Sequence, residues 1–142
     1  MKMTMRWFGE DDDSVSLKEI KQIPGVSGVV SALSKIPAGK IWPETEIMNV
    51  KEKINKKGLD LDVIESVNVH ESIKLGLPER DKYIDNYIET IKNLSKAGIK
   101  VICYNFMPVF DWLRTDLEKE LEDGSRVMAY DQSIIDKTDP VE

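Results

Sequence analysis

The residues best suited to chemistry gather near the end of one apolar run, VICYNFMPVFDWLRT from Val101 to Thr115, which carries Asn105, Asp111, Trp112 and Arg114. The run opens as Val101-Ile102-Cys103-Tyr104, just after a helix-ending Ala97-Gly98. That pattern predicts a parallel strand covered on both faces. Parallel α/β proteins bind ligands beyond the carboxyl ends of their strands, which is where this cluster falls. Met107-Pro108 ends the strand, because proline offers no ladder N–H and restricts its predecessor, so a loop over the site is expected to follow. Trp112 and Phe110 also suit packing beneath such a loop. Arg114 is the natural partner for a carboxylate ligand, since its planar fork matches a carboxylate; a surface arginine is the plain alternative.

His70 is the only histidine and lies in the loop NVHESIKLGLP (Asn68 to Pro78), beside Glu71 and close in sequence to Glu65. Such a residue can serve as a general acid or base, or can orient a substrate hydroxyl. The plain alternative is a loop histidine bonded to backbone. Trp7, at the end of the first expected strand, either walls a pocket or fills the core. Cys103 reads as a small buried hydrophobe rather than a nucleophile. Glu10-Asp11-Asp12-Asp13 reads as a solvated acidic turn, with a cation site as the sharper alternative. No G-x-x-x-x-G-K-[ST], G-x-G-x-x-G or G-x-S-x-G occurs, which disfavours a phosphate-binding loop and a serine hydrolase. One His and one Cys cannot make a tetrahedral His/Cys zinc site without two carboxylates.

The elements that must position these residues alternate along the chain. Met3 to Phe8 reads as a strand, and Ser16-Leu-Lys-Glu19 has the capping-box pattern that opens a short helix to about Gln22. Val26 to Leu33 is a second strand, in which Gly28 marks the close approach of a neighbour or simply a weak strand. Pro43 is expected at the first position of a helix running to about Lys57, with Ile47, Val50 and Ile54 on one face. Leu59 to Val67 is a third strand. Arg80 to Ala97 is the clearest helix, with Tyr83, Ile84, Tyr87, Ile88, Ile91 and Leu94 as its apolar stripe. After the fourth strand, a short helix is expected at Leu117 to Leu121 and a short strand at Arg126 to Tyr130. The order is therefore βαβαβαβ plus an irregular region, an α/β chain with a parallel sheet and right-handed crossovers.

The chain has 142 residues, enough for one domain but below the ~250 of a closed (β/α)8 barrel. Lys and Arg number 20 against 26 Asp and Glu, a net charge of −6, which disfavours binding to a nucleic-acid backbone. A single cysteine excludes an internal disulfide, and no apolar run approaches the ~20 residues of a membrane span. No membrane partner and a cytoplasmic location are the expectations.

The blocks MKMTMRWFGEDDD, IKQIPGVSGVVSAL, VIESVNVHESIKLGLPERD and VICYNFMPVFDWLRTDL resemble the N-terminal part of the mannonate dehydratases of the hexuronate pathway. The similarity runs through essentially all of residues 1–131. It implies a (β/α)8 TIM barrel related to the xylose isomerase-like group, of which residues 1–142 supply about the first half as a truncated domain. It implies dehydration of D-mannonate to 2-keto-3-deoxygluconate with Mn2+ or Fe2+, by a protein expected to be a homo-oligomer. On that resemblance His70 is the catalytic candidate, and Trp7, Asn105 and Arg114 are the substrate-binding candidates. The family's metal ligands belong to later strands, so this chain is expected to supply none and not to turn over mannonate alone. The alternative is a non-catalytic half-barrel that folds by pairing with a second copy. A receiver-like domain using the acidic run for magnesium is weaker, since no fifth strand carrying a lysine is evident.

Overall fold

A computed structural model describes residues 1–107 and 113–137, so Pro108, Val109, Phe110, Asp111 and Trp112 lie outside the described residues, as does the tail from Thr138. The chain divides into two units, residues 1–106 and residues 107–142.

The first unit holds four parallel strands in sequential order: β1 (Met3–Arg6), β2 (Val26–Ser31), β3 (Asp60–Ile64) and β4 (Val101–Ile102). They alternate with α1 (Leu17–Gln22), α2 (Glu44–Asn55), the short α3 (Glu71–Lys74) and α4 (Arg80–Lys96). Sequential order with right-handed crossovers puts the helices on one face of the sheet. One core forms there, from Leu17 and Ile20 of α1, Ile47 and Ile54 of α2, Leu94 of α4, and Val29, Leu61 and Ile64 of the strands.

The expected caps are present. Glu19 N–H donates to Ser16 Oγ at 3.3 Å, and Ser16 N–H donates to Glu19 Oε2 at 2.8 Å. The Ser16 hydroxyl, which donates to Glu19 Oε2 at 2.7 Å, and then the Ser16 N–H hold the Glu19 carboxyl below its ordinary range. Pro43 sits one position earlier than expected, as the N-cap of α2 with ψ 143°. Its fixed φ suits the turn into the helix as well as the first helical position.

Four expectations are corrected. The fourth strand is only two residues long, and Val101 is 51% exposed. Its ladder ends where Cys103 N–H meets the Ile64 carbonyl at 2.8 Å, and no strand covers its far edge among the described residues. Cys103 is accordingly half-buried rather than buried. The loop after β3 contains a helical turn, α3, nucleated by a side-chain cap at His70. On α4 the isoleucine stripe is not the core face: Ile84, Ile88 and Ile91 are exposed, while Thr90, Asn93 and Leu94 are buried. The helix turns its polar residues inward because they bind loop backbone, as described below.

The second unit carries the largest difference. The expected helix at Leu117 to Leu121 is a strand, β5 (Asp116–Glu120), paired antiparallel with β6 (Arg126–Ala129) and followed by α5 (Gln132–Ile135). The Asp123-Gly124 turn closes this hairpin, with Leu121 N–H bonded to the Ser125 carbonyl at 2.8 Å. An Asp-Gly turn between strands is a stronger local signal than the helix propensity of Leu, Glu and Lys.

The uncovered sheet face is polar. Lys2 Nζ reaches Asp60 at 2.9 Å and Asp62 Oδ1 at 2.7 Å, and both carboxylates raise its pKa. Asp62 Oδ2 is buried and without a hydrogen-bond partner among the described residues. It lies where a side chain on Gly28 would stand, since a Cβ there would be 1.7 Å from it. Gly28 is thus the close approach its position in the strand suggested. Gly28→Ala is expected to cost about 1–3 kcal/mol through overpacking, measured as a lower urea midpoint. Adding Asp62→Ala should restore part of the loss; a double variant no more stable than G28A would contradict the clash.

Candidate functional site

The loops beyond the carboxyl ends of β1, β3 and β4 carry Trp7, His70 and Asn105 respectively. His70 is the most constrained of them. Its Nδ1 accepts the Ser72 N–H at 3.1 Å, capping α3, and its ring stacks on Tyr83 of α4 with centroids 3.6 Å apart and planes 10° from parallel. An acceptor Nδ1 places the hydrogen of the neutral ring on Nε2. Ser72 Oγ in turn donates to Glu79 Oε1 at 2.9 Å. Glu79 is held below the ordinary carboxylate range by its backbone N–H first and this hydroxyl second.

The ring pair is walled by the loop before α2. Gly39 has φ +79°, and a Cβ there would meet Tyr83 Cδ1 at 2.6 Å and His70 Cδ2 at 2.7 Å. Only a residue without a side chain lets this backbone lie against both rings. The loop is clamped from α4: Asn86 Nδ2 donates to the Gly39 carbonyl at 2.8 Å, Trp42 N–H donates to Thr90 Oγ1 at 3.1 Å, and Asn93 Nδ2 donates to the Trp42 carbonyl at 2.9 Å. This clamp explains the buried polar face of α4. Its only trace in the sequence is Asn86, Thr90 and Asn93 at spacings of four and three along one helix, a signal masked by the stronger isoleucine pattern.

Trp7 is 4% exposed and belongs to the core. Its N–H donates to the Val30 carbonyl at 2.9 Å, and its carbonyl accepts from Ser31 Oγ at 2.8 Å. Its edge lines a cavity of about 220 Å³ with Phe8, the acidic loop, Lys35 and Val50. His70 lines a different and much smaller cavity of about 10 Å³, with Trp42, Tyr83 and Thr90. The two residues therefore share an end of the sheet but not a cavity. Asn105 is exposed just after β4. Nearby, Tyr104, Phe106, Val69, Ile73, Ile84 and Ile88 border an apolar groove of about 240 Å³. Burial raises the pKa of Tyr87, which lines the same groove, with Tyr104 adding to it.

Arg114 belongs to the other unit, where its Nη1 donates to the Leu113 carbonyl at 2.7 Å. Asp111 and Trp112 lie outside the described residues. The acidic run is used structurally: Asp11 pairs with Lys35, Glu10 pairs with Lys53 at 2.8 Å, and Asp13 accepts the Phe8 and Val15 N–H groups, both at 2.9 Å. The Lys35 hydrogen bond lowers the Asp11 pKa. No group of three or more His, Cys, Asp or Glu among the described residues is placed to hold a metal ion.

One further cation stands at this end of the sheet and was not singled out from the sequence. Arg6, the last residue of β1, donates from Nη1 to the Glu65 carbonyl just past β3, and its guanidinium lies 4.6 Å from the Phe8 ring centre. A strand residue in a four-residue run beside two aromatics gives little signal of its own.

Comparison with known proteins gives one consistent family. The family model described as D-mannonate dehydratase (UxuA) matches residues 1–142. The mannonate dehydratase of Thermotoga neapolitana is 64% identical over 142 residues, covering 100% of this chain and 39% of the relative. That of Geobacillus thermodenitrificans is 61% identical, again over 100% of this chain and 38% of the relative. The crystal structure of mannonate dehydratase from Streptococcus suis serotype 2 superposes with a TM-score of 0.92 at 48% identity, covering 100% of this chain and 40% of that one. The chain thus spans about two fifths of the length of the curated relatives it matches.

Proposed function

The chain belongs to the D-mannonate dehydratase family, and from that premise we propose that it forms the first part of a (β/α)8 TIM-barrel lyase converting D-mannonate to 2-keto-3-deoxygluconate and water. The observation that carries this reading is the match of the whole chain to the family model, with 64% identity to the Thermotoga neapolitana relative. The sequential, all-parallel sheet with its helices on one face supports the barrel.

The reaction removes the C2 proton next to a carboxylate, delocalises the electron pair into that carboxylate as an enediolate, and expels the C3 hydroxyl as water. The enol then tautomerises to the keto acid. The proton is weakly acidic, so the developing charge needs fixed donors, and the departing hydroxyl needs a proton. Within this chain His70 fits the orienting and polarising of that hydroxyl. Its Nδ1 is engaged by Ser72 N–H and its ring is fixed against Tyr83, so Nε2–H donates a hydrogen bond to the hydroxyl and keeps its proton. Asn105, exposed beyond β4, is proposed to hold the sugar acid; Trp7, a buried core residue, instead supports the loop after β1, and Arg114 is kept as a candidate on the family resemblance alone.

A divalent Mn2+ or Fe2+ is proposed for the family-length protein, where it would stabilise the enediolate. No group of three or more His, Cys, Asp or Glu among the described residues is placed to hold it, and we propose its ligands on the later part of that protein, as the family resemblance implies. A cytoplasmic homo-oligomer is the proposed setting. The test is a fusion of residues 1–142 to the remaining length of the Thermotoga neapolitana relative, assayed for keto acid from D-mannonate with Mn2+. Formation of 2-keto-3-deoxygluconate is expected; a folded fusion that leaves mannonate unchanged would refute the reading.

A further inference from the structure

We infer that Arg6 binds the carboxylate of the sugar-acid substrate, an inference that rests on the dehydratase reading above. The case begins with strand geometry. Side chains alternate across a strand, and Met5 and Trp7 pack toward the helix-covered core. Thr4 and Arg6 therefore turn to the opposite, uncovered face, where Thr4 neighbours Gly28 and Asp62. In the barrel proposed above that face is the inner one. Arg6 is also the last residue of β1, so it stands at the carboxyl end, where barrel enzymes place their sites.

The guanidinium is held in place. It reaches past Val30, its register partner on β2, to the Glu65 carbonyl beyond β3, with the Glu65 carboxylate at 4.0 Å and the Phe8 ring at 4.6 Å. A guanidinium carries five N–H donors in a rigid fork, and the Glu65 carbonyl takes one nitrogen. The side chain remains 31% exposed. Other cations are differently placed. Lys35 and Lys53 are paired with Asp11 and Glu10, Lys74 with Glu71, and Lys2 lies at the amino end of the sheet on Asp60 and Asp62. Arg6 thus offers a preorganised, planar donor on the inner face at the catalytic end. A carboxylate gaining charge as its enediolate forms needs such a donor.

The test uses the fusion protein with Arg6→Lys and Arg6→Gln. Lysine keeps the charge and a donor for the Glu65 carbonyl, so it guards against a loss that is only structural. The expected result is a fall in kcat/KM for D-mannonate of about 100-fold or more in Arg6→Gln and a smaller fall in Arg6→Lys. Competitive binding of the neutral D-mannonamide should be nearly unchanged in both. Equal weakening of mannonate and mannonamide would mean a structural strut and overturn the inference, as would unchanged kcat/KM in a folded variant. A folded parent fusion with no dehydratase activity would overturn the function and with it the role of Arg6. An active parent with a silent Arg6 would overturn Arg6 alone.

Discussion

In the family-length fusion, His70→Asn should lower kcat for D-mannonate by about 100- to 1,000-fold, the usual worth of one fixed hydrogen-bond donor at developing charge. The substitution is chosen because His70 has two jobs that asparagine separates. Its Nδ1 caps α3 through the Ser72 N–H, and asparagine is among the best N-caps, so α3 should persist. The ring stack on Tyr83 is lost, at a cost of about 0.5–1.5 kcal/mol. Asparagine, shorter than the ring, carries no donor to the position of Nε2. A variant that melts within a few degrees of the parent yet has lost its turnover would assign the chemistry to Nε2–H. Retention of kcat would leave His70 as a cap alone.

The second large effect is on folding. Leu94→Ala should destabilise the first unit by about 2–5 kcal/mol, since Leu94 is fully buried and its removal leaves a cavity in the one core. Against a typical total of about 5–15 kcal/mol this is a large fraction. Ile91→Ala, three residues earlier on the same helix but 38% exposed, should cost no more than about 1 kcal/mol. The measurement is the urea midpoint of the 142-residue chain at constant slope. Equal losses for the two variants would put the isoleucine stripe back into the core and contradict the face assigned to α4.

These two cases mark what the chain reveals before it is folded. The strand order was legible because each of the first three apolar runs is followed by a helix with its own start or stop, such as the Ser16–Glu19 box and Gly58. Alternation of that kind admits few topologies. The face of α4 was not legible, because Thr90 and Asn93 become interior only through the backbone of the loop at Gly39 to Trp42, some 50 residues earlier in sequence. Periodicity ranks residues by hydrophobicity and cannot see a polar side chain whose partner is a distant carbonyl. The helix expected at Leu117 failed for a local reason, since the Asp123-Gly124 turn outweighs the propensity of the residues before it.

For the site, His70 stood out as the only histidine, yet its fixed tautomer depends on Ser72, and its ring position on Tyr83 and Gly39. Those are facts of packing. Trp7 was open between pocket wall and core filling; it is a core residue whose edge borders a cavity. Arg6 went unnoticed beside Trp7 and Phe8, because one-residue alternation on a short strand decides which neighbour turns inward and which outward.

The most direct test of the central claim, that this chain is the first part of a barrel lyase, is complementation by separate pieces. Residues 1–142 and the remaining length of the Thermotoga neapolitana relative would be made apart, mixed with Mn2+ and assayed for keto acid from D-mannonate. The account predicts no turnover from either piece, and 2-keto-3-deoxygluconate formation that appears on mixing and saturates as the second piece is added. Turnover by residues 1–142 alone would contradict it, as would an inert mixture in which the two pieces have bound each other.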